Sequence, residues 1–382
     1  MNSRLLKMLC MTGALLSTSA FAQQQPTKHK DSQNCVNSKM APDYALPESY
    51  PAAYNAPAGV KINGGWDLSI DASFIYWYVS QEYMDIAKTA TYAASGATPA
   101  AKAKVIGQHF NYEPGFKVGF EFNTRKDEWM VRADYLWMHF NESSSFGAVP
   151  AAVSTGIQDY IPNDYFGNYS AAAQQQAVKM TSYWKMNMDM VDLSMSRPFY
   201  QGRHLIVSPY GGLRGLFIRQ TYNLTATNAA YLTAQPGTSS NRMQSWAVGP
   251  NTGACARYVI GEGFRFEGKM GFSLLYTRYT KLSHSENNQF ASTGILPING
   301  SLAPQSTVRP AADMGLGFGW GTYFAKNDYH VDFSASYDFS VFWNQNMMRQ
   351  TTAALANNNT GYASPAGDLM MQGLTVNASL DF

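Results

Sequence analysis

The stretch Phe264-Arg265-Phe266-Glu267-Gly268-Lys269-Met270-Gly271-Phe272-Ser273-Leu274-Leu275-Tyr276 decides the fold. Successive side chains of a strand point to opposite sides. Phe264, Phe266, Met270, Phe272, Leu274 and Tyr276 therefore share one face, and Arg265, Glu267, Lys269 and Ser273 share the other. One face is apolar and aromatic, while the other carries charge of both signs. The same reading extends to Trp66–Tyr78 against Asp67, Ser69, Asp71 and Ser73, and to Phe116–Phe122 against Lys117 and Glu121. Trp129–Trp137 against Arg132 and Asp134, and Tyr329–Val341 against His330, Asp332 and Asp338, complete the set.

A soluble sheet with one wet face also alternates. Length separates the cases. These segments run about 11–17 residues where soluble strands average roughly five or six, and about ten tilted residues cross a bilayer. All eight tryptophans fall inside the segments, most near an end, where interfacial girdles belong. Only Trp77 falls on the lumen face in this register. Composition agrees: 14% charged, 14% aromatic and a mean hydropathy of −0.27, with no long apolar run beyond the N-terminus. These values exclude a helical membrane protein and a disordered chain. They fit a transmembrane β-barrel, whose lipid-facing and lumen-facing residues alternate.

Residues 1–22 read as a signal peptide. Arg4 and Lys7 form its charged start, Leu9 to Leu16 its apolar stretch, and Ala20-Phe21-Ala22 a small-x-small site, with cleavage expected after Ala22. Cys10 precedes the end of the apolar stretch, the wrong place for lipidation. Without Arg4 and Lys7, 26 bases balance 26 acids, and nothing suggests nucleic-acid binding. Cys35 and Cys255 remain, free to pair in an oxidising periplasm or between molecules.

The period-two segments are 65–80, 112–123, 129–139, 184–196, 205–220, 244–258, 263–279, 308–324, 329–343 and 368–382. Gaps between them alternate long and short. Outer-membrane barrels join strands by short periplasmic turns and long external loops, so both barrel termini are expected in the periplasm. The expected count is at least ten strands, with twelve to sixteen allowed, for instance by an extra strand near Tyr222–Thr227. Within 184–196 the apolar phase shifts from Trp184, Met186, Met188 and Met190 to Val191, Leu193 and Met195, which predicts a β-bulge near Met190 or a misplaced strand.

The chain ends Leu374-Thr-Val376-Asn-Ala378-Ser-Leu380-Asp-Phe382. This ending resembles the signal that barrel-assembly machinery recognises, with Phe382 as its terminal aromatic. A broader likeness rests on Trp246-Ala-Val-Gly-Pro250, Phe272-Ser-Leu-Leu-Tyr276, Tyr329-His-Val-Asp-Phe-Ser334, Val341-Phe-Trp-Asn-Gln-Asn346 and Gly367-Asp-Leu-Met-Met-Gln-Gly-Leu-Thr-Val-Asn377. Together these resemble the Legionella-type major outer-membrane protein family, which also occurs in chlamydia-related bacteria. The likeness spans most of 65–382 and is densest after residue 244. It implies an abundant porin of the envelope and carries over no catalytic residue.

The charges assigned to the lumen are Lys117, Arg132, Lys185, Arg214, Arg257, Arg265 and Lys269. Against them stand Asp67, Asp71, Glu121, Asp134, Asp189, Asp192, Glu267, Asp313, Asp332, Asp338 and Asp381. The acid excess predicts weak cation preference, since rings of charge set pore selectivity. The alternative is that these charges pair across a narrow, filled lumen and conduct nothing. Gly315, Gly317, Gly319 and Gly321 recur every second residue and point inward, leaving space or letting another segment lie against the wall. Ser170–Lys179 has helix formers and reads as an inward constriction or a surface helix. Residues 23–64 read as a periplasmic tail or lumen plug, which a Cys35–Cys255 disulfide would pin in the barrel mouth.

The six histidines are scattered without metal-ligand spacing. His330 and Asp332 share the lumen face, but no second carboxylate pair accompanies them, so an enzyme is not expected, and neither is a cofactor. The expected function is outer-membrane diffusion of small hydrophilic solutes, with outer-membrane lipid around the barrel. A homo-oligomer, by analogy with trimeric porins, is analogy alone. The alternative is a structural or adhesive surface barrel whose long external loops carry the function.

Overall fold

The computed structural model describes residues 55–63, 67–90, 103–124, 128–147, 160–162, 165–166, 177–228, 236–287, 299–355 and 366–382. The leader, Cys35, Trp66 and residues 170–176 of the expected helical segment lie outside the described residues; Ala177–Lys179 of that segment belong to a strand.

Ten strands close into one antiparallel barrel: β1 (Leu68–Gln81), β2 (Tyr112–Asn123), β3 (Met130–Gly147), β4 (Ala177–Ser196), β5 (Leu205–Asn228), β6 (Gly237–Gly261), β7 (Phe264–Asn287), β8 (Gln305–Phe324), β9 (Tyr329–Asn346) and β10 (Gly367–Asp381). Each pairs with the next, and β10 pairs with β1, from Leu369 opposite Gln81 to Asp381 opposite Ser69. Closure removes the exposed edges that open sheets must protect. At the short-turn end, Glu262 and Gly263 form a hairpin with φ of 51° and 84°, the left-handed pair a two-residue turn needs. Phe382 finishes the wall there: its N–H donates to the Leu68 carbonyl at 2.9 Å, and the Leu68 N–H donates back at 3.1 Å. A helix, α1 (Met348–Leu355), follows β9 on the long-loop side.

The outside of the wall carries the apolar face. Phe318 is 63% exposed, Leu316 62% and Phe74 54%. A belt of such residues is untenable in water and is what hydrocarbon requires. Phe272 sits within the belt, opposite Thr252 of β6 and Ala312 of β8. Phe272→Arg should cost about 2–4 kcal/mol near the bilayer midplane, read by equilibrium unfolding from lipid vesicles. A stability equal to wild type would place this position outside hydrocarbon.

Several strands run well past the segments read from the sequence, and a phase change explains why. In β5, Phe217 points out and Arg214 in; higher up, Arg219, Thr221 and Asn223 alternate with buried Ile218, Tyr222 and Leu224. The same inversion occurs after Trp137 in β3, before Trp246 in the descending β6 and after Tyr276 in β7. Beyond the bilayer this barrel wall is exposed outside and packs a buried apolar cluster within, so the polar and apolar faces exchange. Tyr222–Thr227 is therefore the outer end of β5 and not a further strand.

The expected bulge near Met190 is absent. β4 pairs in unbroken register with β3 from Lys179 to Ser196, and with β5 through the same stretch. Its even positions face inward throughout. Trp184, Met186, Met188 and Met190 are buried in the barrel, and Val191, Leu193 and Met195 face lipid. Three assignments change with that register. Trp184 joins Trp77 on the inside, whereas Lys185 and Asp189 stand on the outer face.

Candidate functional site

A cavity of about 370 Å³ occupies the lumen toward the short-turn end. Lys117, Glu121, Arg132, Asp134, Arg214, Arg257, Arg265, Glu267, Lys269, Asp313, Asp332 and Asp338 all line it, together with Asp71, Asp192 and Asp381. Nine of these are carboxylates and six are permanent cations. Asp67 precedes β1 with a φ of 54° and is not among the lining residues.

The charges form three clusters, each bridging strands that are not neighbours. Arg132 of β3 reaches Asp71 of β1 at 2.6 Å and Asp134 of its own strand at 2.8 Å, and Lys117 lies 3.3 Å from Asp134. Arg214 of β5 grips Asp192 of β4 through Nε at 2.7 Å and Nη2 at 2.9 Å, and reaches Asp313 of β8 through Nη1 at 2.5 Å. Arg265 of β7 reaches Asp332 of β9 at 2.5 Å, and Lys269 reaches Asp338 of β9 at 2.9 Å. Paired forks of this kind are the stronger hydrogen bonds.

The inward glycines explain two of these spans. Lys269, Gly315 and Asp338 stand in one row across β7, β8 and β9. A Cβ on Gly315 would meet Lys269 Cε at 2.6 Å, and one on Gly319 would meet the Arg265 guanidinium at 2.6 Å. Gly119 of β2 plays the same part between Asp71 and Asp134; a Cβ there would meet Arg132 Nη2 at 2.7 Å. The space these glycines leave is filled by cations crossing over the intervening strand.

His330 and Asp332 do not pair. His330 Nδ1 lies 2.5 Å from Asp381 Oδ2, while Asp332 is held by Arg265. Cys255 carries a free thiol, half-buried on the cavity wall. Residues 55–63 run below the cavity. Ala56 and Pro57 pair with Tyr200 and Phe199, Lys61 lies 3.3 Å from Glu128, and the Asn63 N–H donates to Asn327 O at 2.9 Å. Ala58 and Val60 are among the cavity lining.

Above the cavity the lumen is filled by a cluster of buried, mostly apolar side chains. Trp184 is fully buried, its ring edge-on to Phe140 at 5.0 Å and Phe110 at 5.5 Å, and its Nε1–H donates to Gln220 Oε1 at 3.1 Å. Met138, Met186, Met188, Ile218, Tyr222, Met243 and Tyr279 pack in the same cluster. The connections contribute as well: Met84 and Ile86 after β1, Tyr165 and Phe166 after β3, and Met347 and Met348 at the start of α1. Thr352 of α1 donates to Asn241 Oδ1 at 3.0 Å. The sequence reading missed this plug. Its trace was the phase change in β4, where apolar residues on both faces mean lipid on one side and a dry interior on the other.

Residues 61–382 match the model of a family described as Legionella pneumophila major outer membrane protein precursor. No curated protein matches the chain. Three solved structures are similar over most of its length. The outer membrane protease OmpT from Escherichia coli is 8% identical, with 82% of this chain and 96% of that chain covered and a TM-score of 0.42. The toluene transporter TodX from P. putida is 8% identical, covering 84% and 90%, with a TM-score of 0.29. A major outer membrane protein from Thermus thermophilus is 12% identical, covering 82% and 98%, with a TM-score of 0.25.

Proposed function

For a chain that belongs to the Legionella pneumophila major outer membrane protein family, seated as a β-barrel in the bacterial outer membrane, we propose a porin that rests closed. Small hydrophilic solutes cross through the charged lower lumen when the upper plug parts. The observation that carries this reading is the make-up of the plug. Part of it comes from the long connections, including Met84, Tyr165 and Met348, and segments outside the wall can withdraw without opening the barrel. Nine carboxylates against six permanent cations in the cavity favour cations. In this reading the barrel is not an enzyme, the 55–63 segment forms the periplasmic floor, and Phe382 presents the strand end to barrel-assembly machinery.

Planar-bilayer recording of the purified full chain tests the proposal. Wild type should give brief, small, cation-selective openings. Replacing Met348–Leu355 by a Gly-Ser linker of equal length should lengthen them severalfold. The filled upper lumen favours a second reading, in which the barrel is a mount for surface loops. That reading gains if both proteins fold, as judged by heat-modifiable migration, and neither conducts.

A further inference from the structure

Within the ten strands, among the described residues, every lysine and arginine that faces away from the lumen stands on β4–β7. The core of this set is Lys185, Arg219, Arg242, Arg278 and Lys281, all exposed and each with a buried, inward-facing neighbour along the strand. Lys185 of β4 and Arg242 of β6 both oppose Thr221 of β5. Arg219 of β5 and Lys281 of β7 both oppose Gln244 of β6. Strands lie about 4.8 Å apart, so each pair of cations spans about 10 Å of wall, with a neutral polar residue between.

Depth gives the patch its meaning. Arg219 follows Phe217 by two residues, Arg278 follows Tyr276 by two, and Arg278 stands opposite Trp246. The cations therefore lie level with the aromatic rim (Arg278) or one to two steps beyond it (Arg219 and Lys281, then Lys185 and Arg242), the level of lipid headgroups. None of the five has an ion-pair partner among the described residues. The single carboxylate on the outer face of these strands, among the described residues, is Asp189, which accepts from Tyr135 Oη at 2.8 Å and lies 3.2 Å from His139 Nε2. Gathering like charges on one side of the wall is unfavourable without a counter-charge. Arginine and lysine together suit phosphate oxygens, the arginine fork binding two at once.

We propose that the outer face of β4–β7 binds the phosphorylated headgroup of an external-leaflet lipid, whose acyl chains lie on the apolar belt directly below. Native mass spectrometry of the full-length barrel in detergent tests this. The probes are lipid A bearing both phosphates, dephosphorylated lipid A, and inorganic phosphate. Wild type should retain lipid A and not its dephosphorylated form. The R219Q/R242Q/K281Q variant should lose the adduct by about tenfold or more, which corresponds to ~1.4 kcal/mol. These side chains are exposed, so the variant should keep heat-modifiable migration, and R219K/R242K should retain binding. Equal adducts on the Gln variant and wild type would overturn the site, as would equal binding of dephosphorylated lipid A. Displacement by excess inorganic phosphate would also overturn it, assigning the patch to free phosphate and not to lipid.

Discussion

Arg214→Met should lower the stability of the folded barrel by about 3–5 kcal/mol, the usual cost of removing one partner from a buried ion pair. Arg214 is 5% exposed in its side chain and stands between two carboxylates, Asp192 on β4 and Asp313 on β8. Asp313 keeps one donor, Ser340 Oγ at 2.8 Å, but the methionine leaves both acids on the cavity wall with no cation between them. Charge left without a partner costs more than the pair contributed. Adding Asp192→Leu and Asp313→Leu should therefore recover most of the loss. Urea unfolding of protein in vesicles reads all of these variants. A loss under about 1 kcal/mol for the single change would mean the carboxylates are hydrated as if at a surface.

Trp184→Ala should cost about 3–5 kcal/mol, the range for removing a large buried aromatic side chain. The ring fills the centre of the plug between Phe110 and Phe140, and its loss also strands Gln220 Oε1. Trp184→Phe keeps most of the volume and loses the hydrogen bond, at about 1 kcal/mol. The functional consequence separates the two changes. A void in the plug should raise single-channel conductance in the alanine variant and leave the phenylalanine variant near wild type. If both variants conducted as wild type does, the solute path would have to avoid β4.

The membrane half of this molecule was legible because two solvents act on it. Lipid outside and water inside sort side chains with period two, so the start of β2 at Tyr112 and the outward set Phe264, Phe266 and Phe272 follow directly from the sequence. The external half was not legible by the same rule. There the solvents exchange places, and a reader expecting one phase sees a fault at Met190 where the strand is in fact continuous. A single assumed phase turns Lys185 and Asp189 inward, whereas the continuous register of β4 turns both outward. The partners of the lumen charges were also hidden. Arg265 and Asp332 lie 67 residues apart, and nothing local in either strand names the other. The alternating glycines at 315–321 suggest open space or a bed for another segment; that Lys269 and Arg265 take the room at Gly315 and Gly319 depends on strands the local sequence does not name.

Those glycines have a consequence for assembly. Sliding β8 by one residue between its neighbours would bring Leu316 or Met314 into the row now held by Gly315, between Lys269 and Asp338. A branched or long side chain there would obstruct the crossing ammonium group and also bring a hydrocarbon side chain to the wet face. Misalignment is thus penalised twice, by volume and by polarity, so Gly315 holds β8 to one register between β7 and β9, alongside the ion pairs that cross it.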